Sequence, residues 1–144
     1  MMEAFGDLWG VYATLKPDEA MVITTNGAIK QGGFAVMGAG IAKQAKERFP
    51  KLPKELGSQL IALGNRVYYF EQYKLITFPV KDYFWEKANP NLIERSCLEL
   101  VKITTALGLK MVYMPRPGCH NGKLNWADVK PILEAHLDER FCIV

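Results

Sequence analysis

Two glycine-rich segments hold the residue types best suited to chemistry. Met37-Gly38-Ala39-Gly40-Ile41 opens onto a run of strong helix formers. Backbone N–H groups at a helix start have no internal partner, and the helix dipole adds positive potential there. Glycines let an anion approach that backbone closely, so the segment is a candidate phosphate cradle. It is not a Walker A loop, because no Gly-Lys-Ser/Thr follows, nor a dinucleotide fingerprint, because Lys43 stands where the third glycine belongs. Taken alone, a plain flexible loop explains it as well. The second segment is Pro115-Arg116-Pro117-Gly118-Cys119-His120-Asn121-Gly122-Lys123-Leu124. Its prolines and glycines fix an irregular backbone that can turn successive N–H groups inward as an anion nest. Two facing cradles suit a diphosphate better than a single phosphate.

Single residues beside these loops read two ways. Asn26 directly follows an apolar run and either supports the turn or reads a sugar hydroxyl. Lys81, in Phe78-Pro79-Val80-Lys81-Asp82, is either a solvated surface residue or a nucleophile. The second role needs its pKa to fall from about 10.4 through burial or nearby positive charge, which the sequence does not show. Cys119 and His120 are adjacent, and neighbours in an extended loop point apart, which disfavours a thiol–imidazole pair. His136 reads as structural, near a helix end. Tyr83 and Trp85 either stack on a base or, more commonly, cover the core.

The elements that must position these residues alternate along the chain. Ala20–Thr24 reads as a buried strand ending at the Asn26-Gly27 turn. Residues 32–40 read as a loop, Ile41–Phe49 as a helix stopped by Pro50, and Pro53–Leu63 as a helix ended by Gly64-Asn65. Val67–Phe70 and Lys74–Phe78 read as a hairpin across Glu71-Gln72-Tyr73. Pro90–Leu107 is the clearest helix, with Leu92, Ile93, Ser96, Leu100, Val101, Thr104 and Leu107 near one stripe and Gly108 as its C-cap. Lys110–Met114 is a strand, Asn125 caps a helix from Trp126 to about Leu137, and Phe141–Val144 is the last strand. The pattern implies an α/β fold, a mixed sheet with helices on both faces. Ligands in such sheets bind at the carboxyl ends of the strands. Loops 25–40, 79–91 and 115–125 lie there.

The bulk numbers exclude several classes. The chain has 144 residues, one domain's worth, with 49% hydrophobic and 23% charged residues. A net charge of +3 is too small for a nucleic-acid coat or a membrane-surface binder. The three cysteines, Cys97, Cys119 and Cys142, lie far apart without metal-ligand spacing, and read as reduced thiols. The first residues lack an apolar signal region, and no apolar run approaches the ~20 residues of a membrane span. We expect a cytoplasmic protein with no bound metal or cofactor. Nothing argues against a monomer.

In order and spacing these residues resemble the macrodomain family, and the resemblance covers nearly the whole chain. Gly6-Asp7-Leu8-Trp9 is similar to its N-terminal Gly-Asp-Leu element. Val22-Ile23-Thr24-Thr25-Asn26 is similar to the strand ending in the distal-ribose asparagine, and residues 35–42 and 115–126 to its two phosphate loops. Phe-Pro-Val-Lys and Gly-Cys-x-Asn-Gly-x-Leu-x-Trp point to the branch holding the DarG-type antitoxin macrodomains and the related human terminal ADP-ribose hydrolase. The resemblance implies a three-layer α/β/α macrodomain spanning residues 1–144 that binds ADP-ribose. It implies Asp7 and Leu8 at the adenine, with Asp7 accepting from the amine. Met37, Gly38, Ala39, Gly40 and Ile41 would lie along one side of the diphosphate, and Pro117, Gly118, Cys119, His120, Asn121 and Gly122 along the other. Asn26 would meet the distal ribose, and Lys81, the branch's implicated lysine, would act at C1″. The implied activity is hydrolysis of ADP-ribose from nucleic acid, including single-stranded DNA, or from protein; a non-catalytic reader and an ADP-ribose-1″-phosphate phosphatase are the alternatives. A separate ADP-ribosyltransferase toxin is the implied partner. Two positions depart from the pattern: Gly122 stands where the human relative has an aspartate, and His120 where a glycine is usual.

Overall fold

The computed structural model describes all residues from Met1 to Val144. Strand β1 (Met2–Glu3) and helix α1 (Leu8–Tyr12) precede the central strand β2 (Glu19–Asn26). A small ribbon of β3 (Ile29–Lys30) and β4 (Phe34–Ala35) leads to α2 (Gly40–Arg48) and α3 (Leu52–Leu63). Then come β5 (Tyr68–Phe70), β6 (Leu75–Lys81), α4 (Pro90–Leu107), β7 (Met111–Met114), α5 (Trp126–Glu134) and β8 (Phe141–Ile143).

The main sheet runs β1-β8-β7-β2-β6-β5. All its pairs are parallel except β5 with β6. It is the expected mixed sheet, layered between helices. In β2, Ala20 and Val22 join the cluster under α4 and α5, while Met21 and Ile23 join the one under α2 and α3. All four are 0% exposed, which explains why β2 reads as a continuous apolar run rather than an alternation. Helices on both faces leave no side of the strand for water.

Several boundaries differ from the sequence reading. The strands before Asn26 and Lys81 are longer, so both residues end their strands instead of following them. The segment expected as a loop contains β4, which pairs antiparallel with β3. Helix α5 ends at Glu134, ahead of Leu137, and Asn125 occupies its N-cap without a side-chain cap bond. Leu107, the last residue of α4 before Gly108 (φ 64°), is exposed and lies outside the buried stripe. Tyr83 and Trp85 do not cover the core; they are 52% and 68% exposed.

The β3–β4 ribbon depends on one close approach. Gly57 lies buried inside α3, and a Cβ there would overlap the carbonyl oxygen of Gly33. Alanine would gain about 1 kcal/mol of helix propensity. The obstacle is backbone and cannot rotate away, so overpacking of about 1–3 kcal/mol prevails. We expect Gly57→Ala to lower the urea midpoint with little change in slope. A raised midpoint would show that the ribbon can move aside.

Candidate functional site

Strands β2, β6, β7 and β8 end on the same edge of the sheet. β6 pairs on one side of β2 and β7 on the other, so strand order reverses there. Open α/β sheets bind ligands at such a switch point. A cleft of about 730 Å³ lies over it, within the range of small-molecule sites. It touches the end of every one of these strands, through Asn26, Lys81, Pro115 and Val144.

Of the residues that the resemblance implies for binding or catalysis, all but one line this cleft: Asp7, Leu8, Asn26, Met37, Gly38, Ala39, Gly40, Ile41, Gly118, Cys119, His120, Asn121, Gly122 and Lys81. Pro117 is the exception. It is buried behind the wall, where its carbonyl oxygen accepts from the Cys119 thiol at 3.5 Å.

The first glycine loop leaves its backbone donors free. Ala39, the N-cap of α2, has no side chain able to satisfy them, and Gly40 begins the helix at φ 57°. A Cβ on Gly38 would meet nothing within 4 Å, so that backbone is open to the cleft. A Cβ on Gly40 would overlap the Asn121 amide. The two loops therefore face each other at close range. The second loop is folded on itself, with Cys119 N–H donating to Arg116 O at 3.3 Å and Leu124 N–H to Gly118 O at 2.9 Å. Ala88 N–H donates to Gly122 O at 3.0 Å, tying this loop to the one after β6. At Gly122 a Cβ would stand 2.6 Å from both Ala88 Cβ and Gly118 O. The aspartate of the human relative therefore cannot be placed here with the loop in this conformation.

Asn26 supports the turn, the first of the two roles considered for it. Its Oδ1 accepts from Ala28 N–H at 2.9 Å, and its Nδ2 donates to Val36 O at 3.2 Å. The amide thus joins the end of β2 to the first glycine loop. One N–H and one lone pair remain for a ligand. The Asp7 carboxylate is likewise shared: Oδ2 caps α1 by accepting from Gly10 N–H at 3.1 Å, which leaves Oδ1.

Lys81 stands beside Asn26 as its partner in the β2–β6 ladder. None of the chain's ion pairs includes its ammonium. Burial lowers its pKa below the usual lysine value, Lys123 lowers it further, and Glu86 opposes them. Lys123, held in the left-handed conformation at φ 62°, has no motif of its own and was not singled out from the sequence. The thiols show the opposite trend. Burial raises Cys119, and Cys97 is pushed up to about 12, so neither is an activated nucleophile. No hydrogen bond joins Cys119 to His120.

Several lining residues escaped the sequence reading. Trp9 and Gln44 meet across 35 residues of chain, with Trp9 Nε1 donating to Gln44 Oε1 at 2.8 Å. The Arg48 guanidinium lies 4.2 Å from the Trp9 ring centre. Phe84, Arg116 and Val144 also line the cleft. Trp9 and Arg116 carried a local signal, through their places after Gly6-Asp7-Leu8 and inside the second glycine-rich segment.

No family model matches the chain. It is 28% identical over 122 residues to proteins named DNA ADP-ribosyl glycohydrolase from Mycobacterium bovis BCG and Mycobacterium tuberculosis. The match takes in 78% of this chain but 33% of theirs, so the chain spans about a third of the length of those curated relatives. Among solved structures it is similar to the macrodomain of Thermus aquaticus DarG, with a TM-score of 0.77 and 25% identity over 99% of this chain and 94% of that one. The macrodomain of Mycobacterium tuberculosis DarG gives 0.76 and 24%, covering 99% and 95%. Thermosipho africanus DarTG in complex with ADP-ribose gives 0.78 and 20%, covering 98% of this chain and 40% of that one. No helix of the chain is long and apolar enough to cross a membrane. By its fold, its cleft and these likenesses together, the chain has the macrodomain fold and is similar to the macrodomains of the DarG proteins.

Proposed function

We propose that residues 1–144 form one macrodomain unit that hydrolyses ADP-ribose from a nucleic-acid base, with single-stranded DNA as the substrate. The observation that carries this reading is Lys81: a lysine at the cleft, without an ion-pair partner, whose pKa burial and a second lysine both lower. The names of the relatives at 28% identity support the same reaction class. A separate ADP-ribosyltransferase that installs the modification is the partner this reading implies.

In this reading the two glycine loops bind the diphosphate through backbone N–H groups, and the free Asp7 oxygen accepts from the adenine amine. The spare donor and acceptor of Asn26 hold the distal ribose. Breaking the bond from C1″ to the base builds positive charge on the sugar and negative charge on the base. Lys81 acts there in one of two ways. As a neutral amine it attacks C1″; the base leaves with the bonding electron pair, and the amine gives up its proton. The resulting N-glycoside opens to an imine that water hydrolyses. As an ammonium it hydrogen-bonds the departing base while water takes C1″. Borohydride traps the first route and not the second.

The decisive comparison is release of free ADP-ribose from a thymidine-ADP-ribosylated single-stranded oligonucleotide. Wild type is expected to release it, and Lys81→Ala to lose about 100-fold or more while still binding ADP-ribose. If a wild-type preparation that binds ADP-ribose releases none, this substrate is wrong. Protein-linked ADP-ribose, the 1″-phosphate with His120 as helper, and a pure reader then take its place.

The pH profile tests the neutral-amine route. A lowered lysine pKa means that the amine becomes available below the ordinary value of 10.5. Turnover should rise with pH through that lowered value. Lys123→Gln removes a cation that favours the neutral amine, so the midpoint should move to higher pH. Glu86→Gln should move it lower. Midpoints that ignore both substitutions would remove Lys81 as the titrating group.

A further inference from the structure

Three consecutive exposed aromatics lie at the rim of the cleft, and nothing in the fold covers them. Tyr83, Phe84 and Trp85 are 52%, 54% and 68% exposed. Three consecutive aromatics this open forgo hydrophobic burial, which is unusual unless something covers them. They follow Lys81 by two to four residues, and Phe84 itself lines the cleft beside it.

The segment is an organised turn. Glu86 N–H donates to Tyr83 O at 3.1 Å, and the Glu86 carboxylate accepts from Tyr83 N–H at 2.8 Å. Its exit is fixed by Asn89 N–H donating to Val80 O at 2.8 Å. On this frame the Tyr83 and Trp85 rings stack, with centroids 4.9 Å apart and planes 15° from parallel. Phe84 meets Trp85 edge-on at 5.0 Å. A preorganised stack needs little ordering when a flat ligand joins it.

We propose that the Tyr83-Phe84-Trp85 turn is a stacking platform for the unpaired nucleobases flanking the ADP-ribosylated nucleotide. The proposal rests on the nucleic-acid reading of the cleft. Every base has a π-face, so a stack of aromatic rings at the exit from the reaction centre binds a single strand without choosing its sequence. The charges agree. Both carboxylates of the segment are engaged within the protein: Asp82 accepts from Asn65 Nδ2 at 3.0 Å, and Glu86 closes the turn. Lys87 after the turn and Lys123 across from it are exposed and available to backbone phosphates. A peptide finds less here. β5 pairs with β6 only up to Thr77, and beyond it the carbonyls of Pro79, Val80 and Lys81 are taken by the Ser96 hydroxyl, Asn89 N–H, and Gly27 N–H with Asn65 Nδ2, so the end of β6 at the cleft offers a peptide no free carbonyl row.

The test measures affinity on a Lys81→Ala background, so that the probe survives. The probes are free ADP-ribose and a single-stranded oligonucleotide carrying one thymidine-linked ADP-ribose. The oligonucleotide should bind about tenfold or more tighter. Adding Tyr83→Ala and Trp85→Ala should erase that advantage and leave free ADP-ribose unchanged, while Trp85→Phe should keep it. In the wild-type background the double substitution should spare release of ADP-ribose from thymidine alone, which has no flanking base. Equal affinity for the two probes would overturn the platform, as would an equal loss on free ADP-ribose. A preference for an ADP-ribosylated glutamyl peptide that disappears with the aromatics would overturn it in favour of a protein substrate. A tight, aromatic-dependent oligonucleotide complex that wild type never cleaves would sink the hydrolase and leave the platform standing.

Discussion

Asn26 and Lys81 are neighbours because of a single slip in a ladder. β2 and β6 pair in even register up to Thr25 and Pro79, and then the register shifts so that Asn26 meets Lys81. Pro79 cannot donate to the ladder, and a proline inside a sheet is tolerated where the pairing is irregular. The displaced ends are fastened from three directions. Gly27 N–H reaches the carbonyls of Lys81 and Asp82 at 3.2 and 2.9 Å. Asn65 Nδ2, just past the end of α3, donates to the same Lys81 carbonyl at 3.1 Å. Buried Ser96 donates to Pro79 O at 2.7 Å from α4. A Cβ on Gly27 would lie 2.7 Å from the Asn65 side chain, so only glycine admits this fastening.

The rest of the site is arranged around that pair. Asn26 links it to the first glycine loop through Val36, while the second loop, fixed to Ala88, brings Lys123 to face Lys81. The same two contacts that shape the cleft therefore set its chemistry. Burial of Lys81 removes solvation from the ammonium, and a like charge nearby disfavours it further. His120, although it replaces a usual glycine, hydrogen-bonds to neither Cys119 nor Lys81.

Much of this was legible in the sequence because it is local. A helix start with glycines and no capping side chain shows in five residues, and α4 shows in its apolar stripe with Asn89 and Gly108 at its ends. β2 shows because burial on both faces demands an unbroken apolar run. The β3–β4 ribbon did not show: its strands are two residues each, and what holds them is Gly57, some twenty residues further on. The exposed aromatics misled for a related reason. Hydrophobic type sets a tendency to be buried, but the fold decides which side chains the core has room for.

The sequence by itself determined the order of the larger elements from β2 onward, the two glycine-rich loops and the identities of Asn26 and Lys81, since each depends on residue type and spacing along a few turns of chain. Tertiary structure alone decided that these loops face each other, that Asn26 and Lys81 are partners, and that Trp9 reaches Gln44. It also decided the state of the lysine. A pKa is set by solvent access and by charges in space, and Lys81 and Lys123 are forty-two residues apart in the chain until the sheet brings their loops together.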